Sequence, residues 1–117
     1  MAANRKFEAG RFIVGAMTAP TTPASGDPCV LGQVPGVALL DEDTDGNTTI
    51  DTAGVYAISV KGIDGSGNKA VAIGDILYYT SGDTPPVSVK ATGVRFGYAL
   101  GAVTSGSTAT INAKVGY

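Results

Sequence analysis

Apolar residues alternate with polar or small ones in three stretches of the chain. Val94, Phe96, Tyr98 and Leu100 alternate with Arg95, Gly97 and Ala99; Ala109, Ile111, Ala113 and Val115 alternate with Thr108, Thr110, Asn112 and Lys114; Tyr56, Ile58 and Val60 make the third. This two-residue period belongs to a strand with one buried face. Shorter apolar runs at Phe12 to Met17, Cys29 to Leu31, Val37 to Leu40, Ile76 to Tyr79 and Val87 to Val89 bring the predicted strands to eight. Eight strands at short spacing predict an all-β fold: a small, partly open β-barrel or sandwich, of the β-clip kind with a bent β-ribbon.

Helices find little room. The chain holds 17 glycines and 6 prolines, and the longest windows free of both span nine residues, at 1–9, 37–45 and 107–115. An interior Gly costs a helix about 1 kcal/mol and a Pro about 3 relative to Ala, so at most one short helical turn is expected. Turn chemistry separates the strands. Asp45-Gly46-Asn47 and Asp64-Gly65 supply residues that tolerate positive φ, and Ser81-Gly82-Asp83 precedes Pro85-Pro86, which cannot donate to a ladder. The Pro- and Thr-rich stretch from Ala19 to Pro28 predicts an extended linker, which divides the chain into an N-terminal arm and linker over 1–25 and a single barrel-like body over 26–117. Within the body there is a loose echo. Gly26-Asp27-Pro28-Cys29-Val30 followed by Gly36-Val37-Ala38-Leu39 resembles Gly74-Asp75-Ile76-Leu77-Tyr78 followed by Gly93-Val94-Arg95-Phe96, as expected of a doubled ribbon folded on itself.

At 117 residues the chain carries one core, not two. Its formal charge of −2 provides no basic field to draw nucleic acid or an anionic membrane, and no segment approaches the length of an apolar membrane span, so neither is expected as a partner. With Cys29 as the single cysteine and no histidine, intrachain disulfides and the common zinc and haem ligand sets are excluded, which fits synthesis in a reducing cytoplasm. Arg5, Lys6 and Arg11 before Phe12-Ile13-Val14 suggest a secretory signal, but Gly15 and the polar residues after Met17 cut the apolar run too short.

Four patterns carry potential chemistry. Asp41-Glu42-Asp43-Thr44-Asp45-Gly46 places acids at the first, third and fifth positions and glycine at the sixth of an EF-hand loop. Thr52 stands where the closing bidentate Glu belongs and both flanks are strand-like, so a solvated acidic hairpin loop is expected and no metal is assigned. Gly65-Ser66-Gly67-Asn68-Lys69-Ala70 fits a dinucleotide fingerprint, yet only Val71-Ala72-Ile73 separates it from the next strand. The helix whose N-terminus must hold a pyrophosphate is missing, so no nucleotide cofactor is expected. Catalysis through a histidine base is impossible in this chain. Five of the ten acids lie between Asp41 and Asp51, where a wet loop would keep their pKa values ordinary, unlike a general acid, and a non-enzyme is expected. The five tyrosines lack interleaved Arg and Lys and are expected at half-buried core or subunit-contact positions, with Cys29 as a small buried residue.

The order of these elements resembles a family of small decoration (cement) proteins of tailed-phage capsids. Gly26-Asp27-Pro28-Cys29-Val30-Leu31-Gly32 with Pro35-Gly36-Val37-Ala38-Leu39 is similar to that family's GDPVVVG and GVAL opening. Ala70 to Tyr79 is similar to its A-I-x-x-G-D-x-x-Y segment, and Gly93 to Leu100 with Thr108 to Val115 to its alternating end. The resemblance spans about residues 26–116 and departs from the pattern in the acidic loop and the N-terminal arm. It implies a non-catalytic protein on the capsid exterior of the virion that binds the major capsid protein of assembled heads, commonly as a homotrimer, and reinforces joints between capsomers. On that implication the arm lies on the shell. Phe7, Phe12 and Ile13 are then its apolar anchors, with strand addition to a shell subunit, and Arg5, Lys6 and Arg11 meet acidic shell surface. A tail or fibre module, or a cell-surface structural β-module, is the alternative from the same composition.

Overall fold

Eleven strands form in the computed structural model, which describes residues 11–116, and no helix occurs among them. They are β1 (Phe12–Gly15), β2 (Pro28–Leu31), β3 (Val34–Ala38), β4 (Thr48–Asp51), β5 (Gly54–Lys61), β6 (Ile63–Asp64), β7 (Gly67–Asn68), β8 (Ile76–Tyr79), β9 (Val87–Ser88), β10 (Val94–Ala99) and β11 (Thr108–Val115). A four-stranded sheet runs in the order β1-β4-β3-β2, a closed barrel in the order β10-β11-β5-β9-β8, and β6-β7 make a small ribbon. All pairings are antiparallel except β5 with β9. The expected partly open barrel is closed, because the short β9 bridges β5 and β8.

The two bodies share one core. Ile58, Val60, Leu77, Val87, Phe96, Ala113 and Val115 fill the barrel, and Val30 and Val37 from the sheet and Ala19 before it pack into the same cluster. On the opposite faces of β2 and β3, Cys29 and Ala38 join Met17 and Ile50 in a smaller cluster, against which Ile13 and Leu31 pack. Successive residues of a strand point to opposite faces, so β2 and β3 bury both of theirs.

The stretch 11–25, expected as arm and linker apart from the body, is woven into it. β1 pairs along its whole length with β4, Met17 and Ala19 are core residues, and Ala19 exchanges backbone hydrogen bonds with Val30, at 3.2 and 2.9 Å. The physical reason is β4, the polar sequence Thr48-Thr49-Ile50-Asp51. It gives β1 a ladder partner, and with only one strongly apolar residue it shows no amphipathic pattern. Residues Asp41 to Asp51 were expected as a solvated loop. Only 41–47 lie outside strands; Thr48, Ile50 and Asp51 are 3%, 0% and 1% exposed.

The Gly-Asp turn of the internal echo recurs in atomic detail, while its second unit does not, since the equivalent bonds reach Ala38 and Ala99. Asp27 accepts the Ala24 N–H and Asp75 the Ala72 N–H on a carboxylate oxygen, each at 2.9 Å. The Gly26 N–H donates to the Ala38 carbonyl and the Gly74 N–H to the Ala99 carbonyl, each at 2.7 Å. Ala38 and Ala99 return bonds to the carbonyls of Asp27 and Asp75, each at 2.9 Å. Gly26 and Gly74 adopt φ of 89° and 92°, left-handed conformations that L side chains rarely take. The same Ala-x-Gly-Asp turn thus opens β2 in the sheet and β8 in the barrel.

One alternation changes phase. Val94 and Phe96 face the core as predicted, but Ala99 rather than Tyr98 continues that face, and Leu100 is exposed. The β10/β8 register shifts between Arg95 and Gly97. A bulge of this kind adds one residue and turns every later side chain over. Gly97 is required beside it, since a Cβ there would lie 2.0 Å from the Lys114 carbonyl oxygen.

Candidate functional site

The residues expected to make contacts lie at the start of the chain. Arg5, Lys6 and Phe7 fall outside the described residues, whereas Arg11 directly precedes β1, the edge strand of the sheet, and Phe12 and Ile13 begin it. Arg11 is tied down within its own chain. Its Nε and Nη2 each donate to a carboxylate oxygen of Asp51 at 2.7 Å, a bidentate pair that fits the planar guanidinium fork. Asp51 also accepts the Tyr56 hydroxyl and, at 3.1 Å, the Ala53 N–H. Arg11 hydrogen bonding, with smaller help from Tyr56 and Ala53, outweighs desolvation and lowers the carboxyl pKa to about 2. The hydrogen bond to Asp51 raises the Arg11 guanidinium further above its ordinary range and strengthens the hold of Tyr56 on its proton. Sequence reasoning gave Arg11 to an acidic shell surface; within its own chain its carboxylate partner is Asp51 of β4, forty positions away.

Phe12 and Ile13 part company across the strand. Ile13 turns inward to the Met17, Cys29, Ala38 and Ile50 cluster, so its side chain is a packing residue. Phe12 and Val14 share the outer face and are 53% and 67% exposed, with the Arg11 guanidinium 5.2 Å from the Phe12 ring centre. Val14 was not among the expected contacts, though its place two residues after Phe12 in a strand gives it the same face.

The backbone of β1 also has a side turned away from β4. The Arg11 carbonyl accepts the Thr52 N–H at 2.8 Å, which puts this pair at a hydrogen-bonded position of the antiparallel register. In an antiparallel pair such positions alternate. Ile13 and Gly15 therefore face β4 with their N–H and C=O groups, and Phe12 and Val14 direct theirs outward. No second strand pairs with β1 among the described residues.

Elsewhere the polar groups serve the fold. Asp43 accepts the N–H groups of Asp45 and Asn47, each at 2.9 Å, and Asp41 that of Ser25 at 2.8 Å. Among the described residues no three His, Cys, Asp or Glu side chains come together in a set able to hold a metal. Gly65 and Ser66 form the turn between β6 and β7, capped by Asp64 through the N–H groups of Ser66 and Gly67 at 2.8 and 3.0 Å. The fingerprint-like spacing is therefore a hairpin. An open groove of about 440 Å³ between sheet and barrel is lined by Thr18, Pro20, Asp27, Tyr79, Asp83 and Pro86 among others. Of its acids, Asp27 is held by Ala24 and Asp83 by Lys90 at 3.4 Å, so the groove offers shape without paired acid and base. Cys29 is fully buried, and burial, aided by the Asp27 charge, pushes its thiol up to about 12.

A family model described as phage cement protein matches residues 8–115. The chain belongs to the phage cement protein family. Membership makes it a structural protein associated with the phage capsid. The matched span begins before β1 and ends with β11, so it includes the exposed edge as well as the barrel. No curated protein and no solved structure matches the chain.

Proposed function

We propose that this cement protein binds the outer surface of an assembled phage head as a trimer and holds neighbouring capsomers together, with no catalytic step. The observation that carries the reading is the family match over residues 8–115. The physics is linkage. A molecule that binds the assembled lattice and not its free subunits stabilises the lattice by RT ln(1 + [L]/Kd), and three linked feet add effective concentration.

The contact that fits this role best is the outer edge of β1. A shell strand laid along it would satisfy the outward N–H and C=O groups of Phe12 and Val14 and cover their exposed side chains. The Arg11–Asp51 pair fixes the beginning of that edge to the rest of the sheet, so the strand is presented already ordered. Arg5, Lys6 and Phe7, just ahead of it in sequence, extend the contact along the shell.

Co-sedimentation with purified expanded heads tests both levels. The chain should pellet with heads and saturate, and the double variant Phe12→Asp, Val14→Asp should lose most of its occupancy while melting like the parent, because neither side chain is in the core. Binding of the parent with equal binding of the variant removes β1 from the contact. Absence of parental binding removes the cement reading.

A further inference from the structure

Charge is unevenly divided between the two halves of the molecule. None of the five barrel strands, β5, β8, β9, β10 and β11, contains an acidic residue, while Lys61, Arg95 and Lys114 are all in them. Four of the chain's ten acids, by contrast, stand within five positions of the β3–β4 loop: Asp41, Glu42, Asp43 and Asp45. With a formal net charge of only −2, the chain presents a cationic barrel face and an anionic loop rather than one uniform field.

The cationic face is ordered by aromatic contacts. Ile76, Tyr98, Lys114 and Val55 are direct cross-strand neighbours in a row over β8, β10, β11 and β5. The Lys114 ammonium lies 5.9 Å from the centre of the Tyr98 ring and the Arg95 guanidinium 5.4 Å, and Arg95 donates to the Tyr98 hydroxyl at 2.5 Å. Val55, at the end of the row, is 56% exposed. Tyr98 thus holds two cations in a row that ends at the exposed Val55, a surface suited to receive carboxylates. The phase change at the β10 bulge creates this platform, since it turns Tyr98 to the outer side that Arg95 already occupies.

We infer that the acidic loop of one copy, Asp41 to Asp45, docks on the Arg95–Tyr98–Lys114 face of a second copy. Loop and face are different surfaces of the chain, so copies joined head-to-tail by this contact form a ring where the rotation between them closes. The loop arrives preformed, because Asp43 accepts from Asp45 and Asn47 and Asp41 from Ser25, while the Asp45 carboxylate is exposed at its tip. This gives the self-association in the proposed function an interface, and it rests on that reading only for the number of copies.

Sedimentation equilibrium of the full chain without heads keeps this test separate from capsid binding. The parent should self-associate, more weakly as salt is raised. Lys114→Glu and Asp45→Lys should each weaken association about tenfold or more, and the chain carrying both reversals should recover most of the loss. Circular dichroism melts check that both exposed positions leave the fold intact. A parent that stays monomeric, reversals without effect, or a double reversal no better than the single ones each overturn the inference. So does a Lys114→Glu chain that associates normally but no longer binds heads, which would give the face to the shell.

Discussion

The substitution Asp51→Asn isolates the charge of the one carboxylate that fastens the edge strand. The folded chain holds Asp51 at a pKa of about 2 against an ordinary value of 3.8, chiefly through the bidentate bond from Arg11. Each pKa unit is about 1.4 kcal/mol, so the ionised form contributes about 2 kcal/mol at neutral pH. The sign follows from proton binding. Between pH 3.8 and about 2 the unfolded chain takes up the proton and the folded chain resists, so the contribution is complete above about pH 4 and is lost as pH falls through about 2. Asparagine keeps the size of the side chain and can still accept from Tyr56, which confines the change mainly to charge. Urea unfolding of parent and variant should show the parent more stable by about 2 kcal/mol at pH 7, with the difference closing towards zero near pH 2. Arg11→Ala should move the acid loss of stability to higher pH, because the buried carboxylate then keeps only Tyr56 and Ala53. A parent–variant difference unchanged from pH 7 to pH 2, or none at any pH, would refute the electrostatic reasoning.

The remaining expectations concern packing and reactivity. Phe96→Ala removes a fully buried ring from the barrel centre and should cost about 3–5 kcal/mol, read as a fall in the urea midpoint with unchanged slope. Gly97→Ala places a Cβ 2.0 Å from a backbone oxygen of β11 and should cost more than about 3 kcal/mol, with loss of the β10–β11 pairing visible as rapid amide exchange in those strands. Cys29, fully buried with its thiol pushed up to about 12, should resist a thiol-specific disulfide reagent at pH 8 in the native chain and react at once in denaturant; rapid native labelling would show that the sheet opens.

The strands legible in the sequence were those whose side chains divide by face. β5 and β11 alternate over eight residues each, and Tyr56, Ile58 and Val60 in β5 and Ala109, Ile111, Ala113 and Val115 in β11 pack in the core or against it. β4 was not legible, because Thr-Thr-Ile-Asp buries two polar side chains whose partners, Leu40 and Arg11, lie eight and forty positions away. The same gap hid the site. Without β4 there is no ladder for Phe12 to Gly15, so Arg11 read as a free cation and Ile13 as an exposed anchor, although one is paired and the other packed. The bulge in β10 was equally silent in the residue pattern, since Gly97 and Ala99 suit either face. What did carry over was the Gly-Asp echo, where sequence spacing and hydrogen bonding agree at both copies.

The most direct measurement of the cement role is the disruption temperature of expanded phage heads, followed by scanning calorimetry with and without the purified chain. A rise that grows with added chain and saturates is the predicted result, since only a ligand of the assembled lattice stabilises it by mass action. Heads that melt at the same temperature at every concentration of the chain would contradict the account.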